Sequence, residues 1–292
     1  AGTRLIDFYN GLAAHGRGVP GGSCPTVGIA GLTLGGGIGV VARAYGVTSD
    51  NVRSLQIVTA DGQVRTCNSS QNSDLYWACR GGGGGNFGVV TSFTFRTRQV
   101  GQIVLFFLSW PWSQAARVIS AWQSWAPHAP DALWSNLHLA AATGGSVPSI
   151  QVGGTYLGSI GAAAAQLEKL YAAAGSHPSS PFMETTSWLH AMLVEAGCAS
   201  LTVNQCHLPT QNPAGKLARA SEYAKSDFFT KPLNSHGIGT LLAGVEKFQR
   251  AGGAPGASGG IAFDALGGAV NRVAAGATAF VHRNALFDAQ YT

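Results

Sequence analysis

The residues best suited to chemistry near the start of the chain are a cysteine and a dense set of glycines. The stretch GGSCPTVGIAGLTLGGGIGVVARAYG places Cys24 beside Pro25 and three successive glycines at 35–37. Glycine has no Cβ, so its backbone accepts positive φ and lets another molecule approach closely. Successive bare N–H groups in such turns also form a concave anion site. We therefore predict main chain that lies against a flat ligand carrying phosphate.

The alternative for this stretch is a flexible surface loop. Flexible linkers are rich in glycine and serine and poor in aliphatic side chains. Aliphatic residues interleave the glycines here, at Val27, Ile29, Leu32, Leu34, Ile38, Val40 and Val41. This pattern favours the ordered ligand cradle.

A second glycine run, GGGNFG at residues 83–88, formally satisfies the dinucleotide pattern G-x-G-x-x-G. That fingerprint requires a strand before it and a helix after it. Here the pattern predicts a helix before it and a strand after it, so a Rossmann nicotinamide site is disfavoured. The chain also has no phosphate-binding G-x-x-x-x-G-K-[ST] loop, and it lacks the Cys-x-x-Cys and His-x-x-x-His pairs of simple zinc sites. We predict no metal site.

Composition limits the partners of the protein. Hydrophobic residues make up 46% of the 292 residues and charged residues only 11%, with a net charge of +5 and no basic run. A nucleic-acid surface needs clustered cations, so none is predicted, although a mild positive charge helps attract an anionic ligand. The longest apolar run, residues 103–108, is far shorter than the roughly 20 residues that cross a bilayer. We expect neither nucleic acid nor membrane as a partner.

Five cysteines leave two interpretations open. Cys198 and Cys206 lie close together in the sequence, which suits a local disulfide and favours an exported protein. Five reduced thiols in a cytoplasmic protein remain the alternative, and the sequence alone favours neither strongly. The odd count leaves one thiol unpaired if the other four are bridged.

Hydrophobic periodicity predicts an α+β chain with a boundary near residue 98. The predicted helices span residues 3–14, 75–79, 113–125, 161–174, 184–195 and 239–249. The predicted strands span residues 52–60, 63–66, 87–96, 102–108, 133–142, 150–157, 260–266 and 278–291. Asp61 and Gly62 predict a type I′ hairpin turn between the first two strands.

Three motifs in order resemble a known family: the glycine-rich stretch, SDNVRSLQIVTADGQV and NSDLYWACRGGGGGNFGVVTSFTFR. Together they resemble the flavin-linked oxidases of the vanillyl-alcohol-oxidase (PCMH-type) superfamily, and within it the berberine-bridge-enzyme-like branch. The resemblance is dense over residues 1–98 and thinner to the end. It implies the second α+β subdomain of a PCMH-type FAD-binding domain at 1–98. A substrate domain at 99–292, with a large antiparallel sheet flanked by helices, would follow.

The resemblance also implies where FAD binds. Cys24 stands where doubly linked members attach the flavin through a cysteinyl thioether, although a cysteine beside proline is also a common buried filler. Gly85 stands where some members have glutamate, so that side-chain contact is lost. The expected cofactor-binding residues are Cys24, Pro25, Thr26, Val27, Gly28, Ile29, Ala30, Gly31, Leu32, Gly35, Gly36, Gly37, Ile38, Gly88 and Val90.

Two departures from the family predict a fragment of a longer oxidase. The subdomain holding the histidine that forms the second flavin link has no counterpart here. The segment with the family's catalytic tyrosine is also missing, and Tyr291 is a poor substitute. Activity of the fragment alone is therefore doubtful.

Three residues of the later region are candidates for chemistry. Asp264 is an acid that could orient or activate a base, with a strand-end aspartate as the equally weighted alternative. His282 could position substrate or tune charge, as could Arg283, although such a pair more often bridges to backbone or carboxylate. We therefore take Asp264 and His282 as the catalytic candidates.

The resemblance implies an FAD-dependent oxidase of an alcohol, sugar or secondary metabolite. A base takes a proton from the small-molecule substrate, the neighbouring carbon gives hydride to the flavin, and dioxygen reoxidises the flavin. The alternatives are a dehydrogenase of the same fold with another acceptor and a flavin carrier without turnover.

Overall fold

The computed structural model describes residues 2–251 and 257–292. The α-helices are α1 Leu5–Ala13, α2 Ile29–Leu34, α3 Ala42–Tyr45, α4 Ser73–Ala78, α5 Ala115–Trp125, α6 Ile160–Ala174, α7 Trp188–Glu195, α8 Ser235–Arg250 and α9 Ala269–Arg272. The strands are β1 Arg17–Gly18, β2 Val52–Val58, β3 Val64–Cys67, β4 Val89–Phe95, β5 Arg98–Gln99, β6 Gln102–Trp110, β7 Leu133–Ala142, β8 Ser149–Tyr156, β9 Ser180–Ser187, β10 Lys225–Phe229, β11 Ser258–Ala265 and β12 Phe287–Tyr291. Short 3₁₀ turns lie at Thr48–Asn51, Trp112–Gln114 and Ala126–His128.

The strands form three sheets, which confirms the predicted α+β class with a large antiparallel sheet. The largest has the order β10-β12-β11-β7-β8-β6-β9. A three-stranded sheet has the order β3-β2-β4, and β1 pairs with β5. The strand pairs β10–β12, β12–β11, β11–β7, β7–β8 and β8–β6 are all antiparallel.

The described residues divide into two compact units, each assembled from several chain segments. The first unit contains residues 1–102, 186–220 and 272–283, and the second contains residues 103–185, 221–271 and 284–292. The division into domains at residues 98 and 99 remains a proposal.

The first unit buries two apolar clusters. One lies between the three-stranded sheet and α4, where Leu55 and Ile57 of β2 pack with Tyr76 and the free thiols of Cys67 and Cys79. The other joins α1 to α7 through Ile6 and Leu193 and includes the disulfide Cys198–Cys206. Of the two interpretations that the sequence left open for the cysteines, the structure therefore contains the local disulfide.

The second unit has its core on one face of the seven-stranded sheet. Phe263 of β11 and Phe287 of β12 pack there against Trp122 of α5, with α6 and α8 completing the cover. Successive strand residues point to opposite faces. The residues between these apolar positions, including Asp264 and Asp288, therefore lie on the other face.

Four sequence predictions were wrong in detail. The predicted helix 184–195 begins only at Trp188, because residues 180–187 add to the sheet edge as β9. The predicted strand 278–291 is a strand only from Phe287. No strand was predicted at residues 225–229, which form edge strand β10 with Lys225 and Asp227 exposed at the surface. Sheet pairing between distant segments decides such cases, and local propensity does not.

The hairpin turn is the fourth case. A type I′ turn needs positive φ at both central residues. Gly62 has a φ of 76°, but Asp61 is not among the positive-φ residues of the described chain. The Asp61 carboxylate instead accepts hydrogen bonds from the Thr59 hydroxyl and the Gln63 amide, and residues 59–63 form a longer loop.

Candidate flavin site

The start of α1 fixes the backbone around Cys24. The amides of Leu5 and Ile6 donate to the carbonyls of Val27 and Pro25 at 2.9 and 3.1 Å. The first turn of a helix has N–H groups without intrahelical partners, so these bonds also satisfy the start of α1. The Arg4 guanidinium adds a bond to the Thr26 carbonyl at 3.1 Å. Residues 25–27 are thus held from one side by their carbonyls.

The other side of this segment is accessible. Cys24 is an exposed free cysteine, and Val27 is also exposed. A Cβ added to Gly28 or Gly31 would meet no atom of the described residues within 4 Å. Residues 29–34 form the helix α2, which the sequence analysis did not predict.

The turn at Gly35, Gly36 and Gly37 is ordered by its neighbours. Gly36 and Gly37 have φ values of 111° and 82°, which L residues with a Cβ rarely adopt. Their carbonyls accept the amides of Ser49 at 2.8 Å and Thr48 at 2.9 Å. Positive φ together with these close contacts explains why glycine is needed at both positions.

The second glycine run packs beside α2. The amides of Gly81 and Gly83 both donate to the Leu34 carbonyl, at 3.1 and 2.9 Å. Gly88 has a φ of 140° and lies against the Val58 carbonyl, where a Cβ would collide. Val90 follows in β4, with its side chain in the buried cluster. Because β4 is an edge strand of its sheet, one side of its backbone has no neighbouring strand among the described residues.

These residues fit a flat, phosphate-bearing cofactor. Bare backbone at Gly28 and Gly31 allows close approach, and the exposed Cys24 thiol lies four residues before Gly28. In the described part of the chain, the amides of Ala30 and Gly31 donate to no protein acceptor. The individual contacts of Leu32, Ile38, Gly88 and Val90 with FAD remain predictions.

His282 and Arg283 have different surroundings. Arg283 is buried and binds Asp50 through two hydrogen bonds, which is the structural role weighed for it from sequence. His282 is half-buried, and its ring contacts Phe280 edge-on at 5.4 Å between centroids. His282 belongs to the first unit and Asp264 to the second. A catalytic role for His282 stays a prediction.

Asp264 lies in the middle of the large sheet. Its register partners are Asp288 on β12 and Asn136 on β7. Burial raises the pKa of Asp264 above its ordinary value. Burial and the neighbouring Asp264 charge also raise the pKa of Asp288. Such a raised pKa is typical of acid–base residues, although structural clusters show it as well.

Sequence analysis missed Asp288, Asn136 and Asp50. Alternation in FDAQY would have placed Asp288 opposite the buried Phe287 and Ala289. No sequence signal pairs Asp288 with Asp264, which lies 24 residues away, or Asp50 with Arg283.

No helix among residues 2–251 and 257–292 is long and apolar enough to span a bilayer.

Comparisons with known proteins identify the cofactor. Residues 1–68 match the FAD binding domain family. The chain is 34% identical to the uncharacterized FAD-linked oxidoreductase YgaK of Bacillus subtilis (strain 168). The alignment covers all of this chain and 59% of YgaK. The solved structure of Physcomitrella patens BBE-like 1 is also similar, at 31% identity and a TM-score of 0.85. That match covers all of this chain and 60% of the BBE-like 1 chain.

A chitooligosaccharide oxidase structure is also similar, at 26% identity with a TM-score of 0.84. That match covers 99% of this chain and 59% of the oxidase. The chain thus spans about three-fifths of the length of these relatives.

Proposed function

We propose, because this chain belongs to the berberine-bridge-enzyme-like branch of the PCMH-type FAD-linked oxidases, that the full protein oxidises a small alcohol, sugar or secondary metabolite. FAD, when bound, supplies the two-electron acceptor, and dioxygen takes the electrons from it in turn. The observation that carries the proposal is the bare backbone at residues 28–31 beside the exposed Cys24.

Cys24 is the residue we assign to covalent attachment of the flavin. Its thiol is exposed, whereas Cys67 and Cys79 are buried and the other two cysteines form a disulfide. The thiolate is the nucleophilic form of cysteine, and it requires access to the ring. Cys24 is therefore the one cysteine of the five with both a free thiol and solvent access.

The proton chemistry is assigned to the second unit. Asp264 is proposed to hold or accept the proton of the substrate, because its raised pKa leaves it able to exchange protons near neutral pH. His282 is proposed to position substrate or tune local charge. These roles are proposals, as is the position of Gly88 and Val90 next to the cofactor.

The test is an absorbance spectrum and an intact mass of the full-length protein, of Cys24→Ala and of the control Ser23→Ala. We expect yellow protein from all three. After acid precipitation, the wild type and Ser23→Ala should retain their flavin. Cys24→Ala should retain a smaller amount of flavin. Equal retention in both variants would remove the attachment role of Cys24.

Turnover is tested with a panel of alcohols, sugars and oligosaccharides under air. An oxidase bleaches the flavin absorbance and forms hydrogen peroxide. Reduction of a dye without peroxide would instead indicate a dehydrogenase. A flavin that no substrate bleaches would overturn the catalytic proposal in favour of a carrier.

A further inference from the structure

We propose that Asp264 and Asp288 hold one proton between them and act as a single acid–base group on the face of the seven-stranded sheet opposite Phe263 and Phe287. The catalytic use of this carboxyl pair rests on the proposed function, whereas the shared proton does not. Sequence analysis assigned a role to Asp264 alone.

The strand register brings the two carboxyl groups together. Asp264 on β11 lies directly opposite Asp288 on β12. Gly260 of β11 and Thr292, the residue that follows β12, exchange both backbone hydrogen bonds, each at 3.0 Å. Every second pair repeats this arrangement, so Asp264 and Asp288 are also a hydrogen-bonded pair, with Cα atoms about 5.5 Å apart. Side chains directly opposite on one face have Cβ atoms within about 4.5–5.5 Å.

The neighbouring strands offer the pair little positive charge. Phe228 of β10 is the register partner of Asp288 on its other side. Asn136 of β7 lies beside Asp264, and its Oδ1 accepts the Gly153 amide at 3.1 Å. The Asn136 side chain is neutral and can still offer its N–H groups to another partner.

The titratable groups of the adjoining strands do not neutralise the pair either. On the same face the next one is His138, two residues beyond Asn136 along β7 and diagonal to Asp264. Lys225, Asp227 and Tyr291 alternate onto the opposite, helix-covered face. Within the described parts of β7, β10, β11 and β12, no lysine or arginine shares the face of the carboxyl pair.

Two ionised carboxylates in this position would repel each other, and one must protonate. The Oδ1 atom of Asp288 provides a second, independent observation, because it is closed to solvent and has no hydrogen-bond partner among the described residues. A buried polar atom without a partner is costly. A proton held between the two side chains would give this oxygen its hydrogen bond. The raised pKa of each residue agrees with this arrangement.

The shared proton gives the pair a defined chemistry. At neutral pH the pair carries one proton and one negative charge, so it can accept a second proton. When a hydroxyl substrate is oxidised, its O–H proton passes to the pair. The C–H electron pair and hydrogen go to the flavin acceptor, and the extra proton later returns to water. A single isolated carboxylate with an ordinary pKa near 4 would be a much weaker proton acceptor at pH 7.

The test counts the protons taken up on folding. Both aspartates are ionised in the unfolded chain at pH 7. The folded wild type should therefore bind about one more proton, at this carboxyl pair, than the unfolded chain does. A raised folded-state pKa gives stability that is complete below pH 4 and is lost as pH rises through the folded pKa values. The slope of unfolding free energy against pH measures the uptake. We expect Asp288→Asn to take up about one proton fewer than the wild type and Asp227→Asn, an exposed residue of β10, to match the wild type.

A second measurement covers the case in which Asp288→Asn fails to fold. Infrared spectra of wild-type protein labelled at aspartate should show a protonated carboxyl at pH 7 that disappears in strong alkali. Absence of that band, or equal proton uptake by wild type and Asp288→Asn, would overturn the shared proton. If the band is present but Asp264→Asn and Asp288→Asn both bleach with substrate at the wild-type rate, the catalytic use fails. If no substrate bleaches the wild-type flavin, the proposed function fails and the proton count stands apart from it.

Discussion

The guanidinium of Arg283 binds the carboxylate of Asp50 through two hydrogen bonds, Nη2 to Oδ1 at 2.6 Å and Nη1 to Oδ2 at 2.9 Å. Both side chains are largely buried, at 3% and 10% exposure. Arg283 also donates to the Thr278 hydroxyl, and Asp50 accepts the Val47 amide. This ion pair therefore fixes the segment that follows the glycine turn, whose carbonyls bond the amides of Thr48 and Ser49.

Breaking this ion pair should destabilise the protein strongly. Arg283→Met leaves the Asp50 charge buried and unpaired, so we expect a loss of about 3–5 kcal/mol in the free energy of unfolding. Urea denaturation measures it. The control is Arg250→Met, which removes an exposed pair with Glu246 at 3.5 Å and should change stability by at most about 1 kcal/mol. Similar losses in the two variants would contradict the structural role of Arg283.

A methyl group at Gly31 should separate folding from cofactor binding. Gly31 lies in α2 with open space around it, so Gly31→Ala should raise stability by up to about 1 kcal/mol through helix propensity. The same methyl group would stand where we place the flavin, so bound flavin should fall several-fold. Gly11→Ala in α1, also with open space, is the matched control. It should gain stability and keep its flavin, and a full flavin content in Gly31→Ala would count against the predicted contact.

Removing the hydroxyl of Tyr9 should loosen the backbone before Cys24. This hydroxyl donates to the Gly22 carbonyl at 2.8 Å, and burial together with Glu195 raises the pKa of Tyr9, so it remains a donor. Tyr9→Phe leaves that carbonyl without its donor, at a cost of about 1–3 kcal/mol. Thermal unfolding measures the loss. Tyr223→Phe, at a residue 76% exposed, should leave the melting temperature unchanged.

The disulfide should contribute measurably although its loop is short. Cys198 and Cys206 are separated by 8 residues, for which the loop-entropy relation gives about 2–3 kcal/mol. The double variant Cys198→Ser and Cys206→Ser should therefore unfold at lower urea. Reductant should destabilise the wild type towards the double variant and leave the double variant unaffected. A wild-type midpoint that reductant does not change would show that the bridge adds nothing.

The glycine-rich segment illustrates how much could be predicted locally. Positive φ at Gly36 and Gly37 follows from residue type and spacing. The exposure of Cys24 does not, because the sequence also allowed a buried cysteine. The helix α2 was missed there, because its six residues contain Gly31 and give no periodic pattern long enough to detect. The backbone amides of Leu5 and Ile6 hold the segment by hydrogen bonds. Backbone bonds of this kind do not depend on residue type, so the sequence gives no sign of them.

The sequence by itself determined the α+β class and the likeness to FAD-linked oxidases, because each depends on motifs or periodicity within short stretches. For Cys198 and Cys206 it left a local bridge and free thiols both open, and the structure decided for the bridge. Tertiary structure alone decided that Asp288 faces Asp264 and that Asp50 binds Arg283. Strand register and chain folding set those distances, and a shift of one residue would turn Asp288 to the opposite face. The chemistry of a carboxyl group follows from its neighbours, and those are known only once the strands have paired.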